Sequence, residues 1–218
     1  MPGRALHNRL IGTQRPEDSA SDFNAMNAVI RRLLSMMGTN LPVRVVAVHG
    51  EGLNPVGFVD VQPMVHQQDG AGRTVPHGVL YNVPYIRLQG GTRAFLCDPA
   101  VGDIGLIIIC GRDISTVKTT RNAAAPGSFR QHDMADALYL GGLLNAAPKE
   151  YIGWVGGDVH VSTAGRFVVD AAACVIDCDV TVRGAVSATG DMQAGGISLE
   201  THTHTGVMSG SGKTGAPE

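Results

Sequence analysis

Two histidines one residue apart, His202 and His204, are the side chains in this sequence best suited to metal chemistry. They stand at the head of the final segment, THTHTGVMSGSGKTGAPE, residues 201–218. On an extended strand, side chains at i and i+2 point to the same face, so both imidazoles are expected to face one way. One chain offers two nitrogens there, too few for a tight site. Three copies about a threefold axis would offer six, an octahedral nitrogen cage. Six neutral imidazoles suit a first-row divalent metal with octahedral preference, whereas zinc is more often four-coordinate. A metal so saturated has no open position and cannot act as a Lewis acid on a substrate. Its expected job is structural: it would tie together chain ends that otherwise fray. The small residues Gly206, Ser209, Gly210, Ser211, Gly212 and Gly215 would keep that end narrow.

The other reactive side chains make weaker constellations. His132 and Asp136 would share a face at i, i+4 if residues 133–140 were helical, with Asp133 alongside. No third strong ligand is near, and acids at a helix start account for the pattern. Asp103, in the run Pro99-Ala-Val-Gly-Asp103, reads as a turn former rather than a catalytic acid. Asp158, Asp170, Asp177, Asp179 and Asp191 punctuate the C-terminal third. Glycoside cleavage needs two carboxylates across a groove, and a groove that grips sugars is rich in aromatics, which this stretch almost lacks. Cys97, Cys110, Cys174 and Cys178 have no CxxC spacing and read as small buried hydrophobes. With no serine–histidine–acid arrangement and no phosphate loop, catalysis is not expected.

Composition narrows the class further. The 218 residues suit one large domain or two small ones, and their net charge is −2 with no basic stripe. Bulk electrostatics therefore gives nucleic-acid binding no support. Aromatic residues are 5% of the chain, so rings for stacking bases or sugars are scarce. The N-terminus MPGRALHNRL lacks the apolar core of a signal peptide. The longest apolar run, 104–110, is far too short to span a bilayer. Folding in a cytosol is expected.

These residues must be held by elements that periodicity lets one place. Residues 1–40 read as an N-terminal segment, irregular up to about residue 20 and then helical. Ser21 is the N-cap, Gly38 the stop, and Phe23, Met26, Val29, Ile30, Leu33, Leu34 and Met37 form one apolar face. Such a face is expected to cover a neighbouring sheet, with docking to another protein or subunit as the alternative. From residue 41 the period becomes two. Strands at 41–48, 57–65, 79–88, 92–96 and 104–110, separated by glycine turns, suggest a small OB-type barrel over 41–117. Tyr81, Tyr85 and Arg87 are its only candidates for a binding surface. Residues 118–155 read as a connector with a short helix at 133–140.

From 156 to 200 short period-two stretches with one apolar side follow, broken by Gly184 and Gly190. Cys174, Ile176, Cys178, Val180 and Val182 alternate with Asp177, Asp179, Thr181 and Arg183. One such ribbon cannot bury its apolar face alone. Copies from several chains wound about an axis would bury it and pair its edges.

The stretch His202-Thr-His204-Thr-Gly-Val207, with Gly212, Thr214, Gly215 and Pro217 after it, resembles the end of phage tail central spike proteins. These are the membrane-piercing, baseplate assembly protein V-like needles. The Pro99–Asp103 turn and the connector Arg130-Gln-His-Asp-Met-Ala-Asp-Ala137 ahead of Gly141-Gly142 look like the same family's N-terminal part. The resemblance runs from about residue 41 onward. It implies a mainly β homotrimer: barrel, connector, intertwined trimeric β-helix, pointed apex at 201–218. It also implies one iron ion per trimer, held by His202 and His204 of each subunit. Further implications are docking on phage tail hub or baseplate proteins through the N-terminal region, and contact of the tip with the host outer membrane. Assembly would take place in the host cytoplasm and the final location would be the virion. A tailspike-type polysaccharide-degrading or receptor-binding protein is the competing reading. An OB-type nucleic-acid module is a third, disfavoured by the charge.

Overall fold

The structure is a computed structural model that describes residues 16–69, 71–206 and 210–211. Among the described residues, two helices, α1 (Asp22–Met36) and α2 (Ser115–Thr120), accompany thirteen strands. In chain order these are β1 (Leu41–His49), β2 (Phe58–Pro63), β3 (Gln67–Gln68), β4 (Thr74–Val75), β5 (Leu80–Pro84), β6 (Leu88–Gly90) and β7 (Arg93–Phe95). Then come β8 (Ile104–Ile109), β9 (Ala137–Leu140), β10 (Tyr151–Val155), β11 (Asp158–Ser162), β12 (Gln193–Ala194) and β13 (Ile197–Ser198). The chain divides into two units, one ending at Tyr151 and the other starting at Ile152. Among the described residues no helix is long and apolar enough to cross a membrane. The irregular segment expected before residue 16, and much of the 201–218 apex, lie outside the described residues.

The first unit is built on one five-stranded sheet of order β5-β2-β1-β8-β9, with every hydrogen-bonded neighbour antiparallel. Period-two alternation puts Val43 and Val45 of β1, Val59 and Val61 of β2, Val83, Ile107, Ala137 and Tyr139 into one buried core. Arg44, between the buried valines of β1, is exposed, as is Val46 after them. The sheet curls until its two edges touch. Tyr85 and Tyr139 form a parallel bridge, and the Ile86 N–H donates to the Tyr139 carbonyl at 2.9 Å. Curling lets valines, small and β-branched, fill the inside without large rings. It also covers strand edges that would otherwise seek partners. Gly105 makes room for this closure. A Cβ there would stand 2.6 Å from the Leu140 carbonyl oxygen and run into the Tyr139 ring.

Several sequence expectations need correction. The stretch expected as a helix at 133–140 is a single 3₁₀ turn, Met134–Asp136, followed by strand β9. The Asp133 carboxylate caps the turn by accepting the Ala135 N–H at 2.8 Å. Four apolar residues in a row, Ala-Leu-Tyr-Leu, hid the alternation that buries Ala137 and Tyr139. So β9, which completes the sheet, lies inside the stretch expected to be a connector. The strand expected at 92–96 does not join the sheet. As β7 it pairs only with β6 in a separate hairpin, Leu88 opposite Phe95.

Helix α1 begins where the cap residue placed it: Ser21 Oγ accepts the Asn24 N–H at 3.1 Å. Its apolar face, however, does not cover the sheet. The seven side chains from Phe23 to Met37 are 42–76% exposed. The helix packs instead on the 3₁₀ turn Pro16–Ser19, where Arg31 pairs with the buried Asp18. A sheet curled onto its own core has no apolar face left to offer. The cysteines are corrected too: Cys97, Cys174 and Cys178 are exposed, Cys110 is half-buried, and all four are free thiols.

The second unit has little regular structure. β10 and β11 form a hairpin, as do β12 and β13. Between them, residues 163–192 carry no strand. The apolar side chains expected on one face of the ribbon are open in the single chain, Ile176 at 61% and Val180 at 62%.

Candidate metal centre at the C-terminal histidine pair

The hairpin just before the histidines sets their approach. β12 and β13 pair Gln193 with Ser198 and Ala194 with Ile197. The two linking residues, Gly195 (φ 57°) and Gly196 (φ 83°), both have the positive φ that a type I′ turn requires, which glycine adopts without strain. The Leu199 N–H closes the hairpin onto the Met192 carbonyl at 2.8 Å. The chain then turns sharply. The His202 N–H donates to the Ser198 carbonyl at 3.2 Å, and the Thr201 N–H to Ser198 Oγ at 2.9 Å.

That turn brings the two imidazoles together. The ring centroids of His202 and His204 lie 5.1 Å apart, edge to face at 79°. Here the strand expectation fails, because β13 ends at Ser198 and residues 202–204 are not in a strand. Proximity comes from the turn. His202 Nδ1 is held 2.9 Å from the Ser198 carbonyl oxygen, whereas both residues are otherwise exposed. Two imidazoles are donors of the right chemistry for a first-row divalent ion. Among the described residues, no three histidine, cysteine, aspartate or glutamate side chains gather to hold a metal. Within one chain the pair therefore offers two imidazole nitrogens.

The residues expected to matter less are absorbed by structure. Asp136 is fully buried and takes Arg130 through both oxygens, Nε at 3.2 Å and Nη2 at 3.1 Å, plus the Ile114 N–H. Asp113 beside it accepts from the Ser115 N–H at 2.8 Å and the Ser128 hydroxyl at 2.6 Å. The Ser115 and Ser128 side chains, the Ser115 N–H and the Arg130 charge hold the Asp113 carboxyl far below the usual range, against a small opposing effect of burial. His132 sits at φ 51°, and its carbonyl accepts the Gly38 N–H at 2.7 Å. Asp103 is a turn former, accepting the Ala100 N–H at 2.8 Å.

Of the three residues considered for a binding surface, only Tyr81 is open, at 66%. Tyr85 is core, and the Arg87 side chain is 4% exposed, bound to Asp98. Sequence reasoning missed Ser198. The signal was present: a hydroxyl residue just past the two-glycine hairpin turn Gly195-Gly196.

Two family models match the chain. Phage protein Gp138 N-terminal domain covers residues 41–142, from the start of β1 past the end of β9. GpV Apex motif covers residues 196–218, from the hairpin turn through both histidines. In a comparison with curated proteins, nothing matches.

Proposed function

We propose that this phage baseplate and central-spike protein works as a homotrimeric needle whose metal-bound tip pierces the host outer membrane. The observation that carries the reading is the joining of two modules in one chain: a baseplate-type N-terminal domain and an apex motif containing a converged histidine pair. In this reading the curled sheet of the first unit is an OB-type barrel. Its strand order and its parallel edge contact at Tyr85 and Tyr139 support that description.

The second unit supports a multi-chain needle. Valines, isoleucine and cysteines along 159–186 are open to water in one chain, and the hydrophobic effect favours covering them. Three ribbons wound together would do so and form the trimeric β-helix. His202 and His204 from three subunits would supply six imidazole nitrogens to one iron ion. When bound, that ion would supply only a structural cross-link, holding the three ends against splaying under axial load. The spike is not an enzyme in this reading. Its N-terminal region, with the open face of α1, would dock on tail hub or baseplate proteins in the virion after assembly in the host cytoplasm.

The test is native mass and metal content measured on one untagged preparation. Three chains and about one iron per three chains are expected from the six-nitrogen stoichiometry. A metal-free monomer would sink the reading.

A further inference from the structure

The turn that presents His202 is tied to one carboxylate. Asp191 takes the Glu200 N–H at 3.2 Å and the Gln193 side-chain amide at 3.2 Å. The nearby Ser198 hydroxyl foremost, with these donors, outweighs the opposing effect of burial and holds the Asp191 carboxyl below its ordinary value. Ser198 Oγ has two lone pairs with which to accept. They take the Thr201 N–H at 2.9 Å and the Thr201 hydroxyl at 2.8 Å. The 198–201 turn is thereby held at Thr201 by Ser198 Oγ and at Glu200 by Asp191.

The Ser198 carbonyl oxygen then faces the His202 ring. A carbonyl only accepts, so the ring nitrogen 2.9 Å away, Nδ1, must carry the proton. In a neutral imidazole that leaves the lone pair on Nε2. A metal-ligating histidine needs this arrangement: one nitrogen held by a backbone oxygen, the other turned out as donor. We propose that Asp191 and Ser198 are positioning residues that lock His202 in its Nδ1–H tautomer, so that it binds a divalent ion through Nε2. The metal half of this proposal rests on the reading of His202 as a ligand, whereas the tautomer half does not.

The experiment uses the full chain, labelled with ¹⁵N-histidine, at about pH 8, above the range in which free imidazole titrates. Long-range proton–nitrogen spectra of metal-free protein report the tautomer, and His202→Ala identifies the signal. Iron(II) alone is then added and its loss to a chelator measured. The expected result is Nδ1–H for wild-type His202, a mixed tautomer in Asp191→Ala and Ser198→Ala, and iron affinity about 10–100-fold weaker in both variants. Asp191→Asn, which keeps an acceptor oxygen, should recover part of both. Nε2–H in the wild type would overturn the proposal. So would an Asp191→Ala protein whose tautomer and iron retention match the wild type. A wild type that takes no iron, yet shows Nδ1–H that Asp191→Ala disturbs, would refute the metal reading and leave the positioning role standing.

Discussion

Arg87 Nη2 lies 2.8 Å from Asp98 Oδ1, and the two residues pin together three loops around the rim of the curled sheet. Arg87 also reaches the Asn54 carbonyl at 2.9 Å and the Tyr85 hydroxyl at 3.2 Å. Asp98 Oδ2 accepts the Gly52 N–H at 2.6 Å, and the Tyr85 hydroxyl lies 2.9 Å from Oδ1. Burial pushes the Asp98 carboxyl up. The Arg87, Gly52 and Tyr85 bonds together outweigh it and leave the value below the usual carboxylate range.

A pH dependence follows. A carboxyl with a depressed folded value adds stability above its unfolded value of about 4 and loses it as pH falls through the folded value. Asp98 and Asp113 both have depressed values. The first unit should therefore weaken progressively below about pH 4. Asp98→Asn should be less stable at neutral pH and flatter in acid, read as denaturant midpoint against pH. An acid profile for Asp98→Asn parallel to the wild type would count against this assignment.

The Tyr139 ring closes the sheet, but its hydroxyl is buried without a partner. Burial, and secondarily the Asp103 charge, push the phenol up to about 12. Removing a hydroxyl that bonds nothing recovers its desolvation cost, so Tyr139→Phe should leave stability unchanged or raised. A loss above about 1 kcal/mol would reveal a partner for that oxygen.

Gly105→Ala tests the same contact from the other side. The added methyl meets the Tyr139 ring and the Leu140 carbonyl, and neither can retreat without opening the β8–β9 pair. A loss of about 2 kcal/mol is expected, within the usual range for overpacking. Urea unfolding followed by circular dichroism measures it.

On α1, Ile30→Asp and Leu33→Asp alter side chains that are exposed in the single chain. Stability of the first unit should shift by no more than about 0.5 kcal/mol. If the helix is the docking element, the same variants should fail to enter assembled tails in a complementation assay. Normal incorporation would assign docking elsewhere.

If the proposed needle is correct, the double change His202→Ala with His204→Ala should abolish iron binding yet leave a trimer, because the first unit and the ribbon are untouched. Native mass spectrometry reads both outcomes at once. Collapse to monomers would make the ion, rather than the ribbon, the source of assembly.

Local rules reached a good part of this molecule. Ser21 and the three- and four-residue spacing after it fixed helix α1, because a cap and an apolar stripe are properties of consecutive residues. Alternation at Val43, Val45, Val59 and Val61 likewise marked two strands and the face each buries. The histidine pair stood out by residue type and spacing alone. Tertiary structure decided what depends on residues far apart in sequence. Ala137–Leu140 is a strand because β8 offers it an open edge, and Arg87 is internal because Asp98 waits beside it. His202 meets His204 because Ser198 and a two-glycine hairpin turn the chain there, where alternation would have drawn a straight strand. A hydrogen-bond partner supplied by folding can override a short apolar run or a lone charge, and no window of neighbouring residues contains that partner.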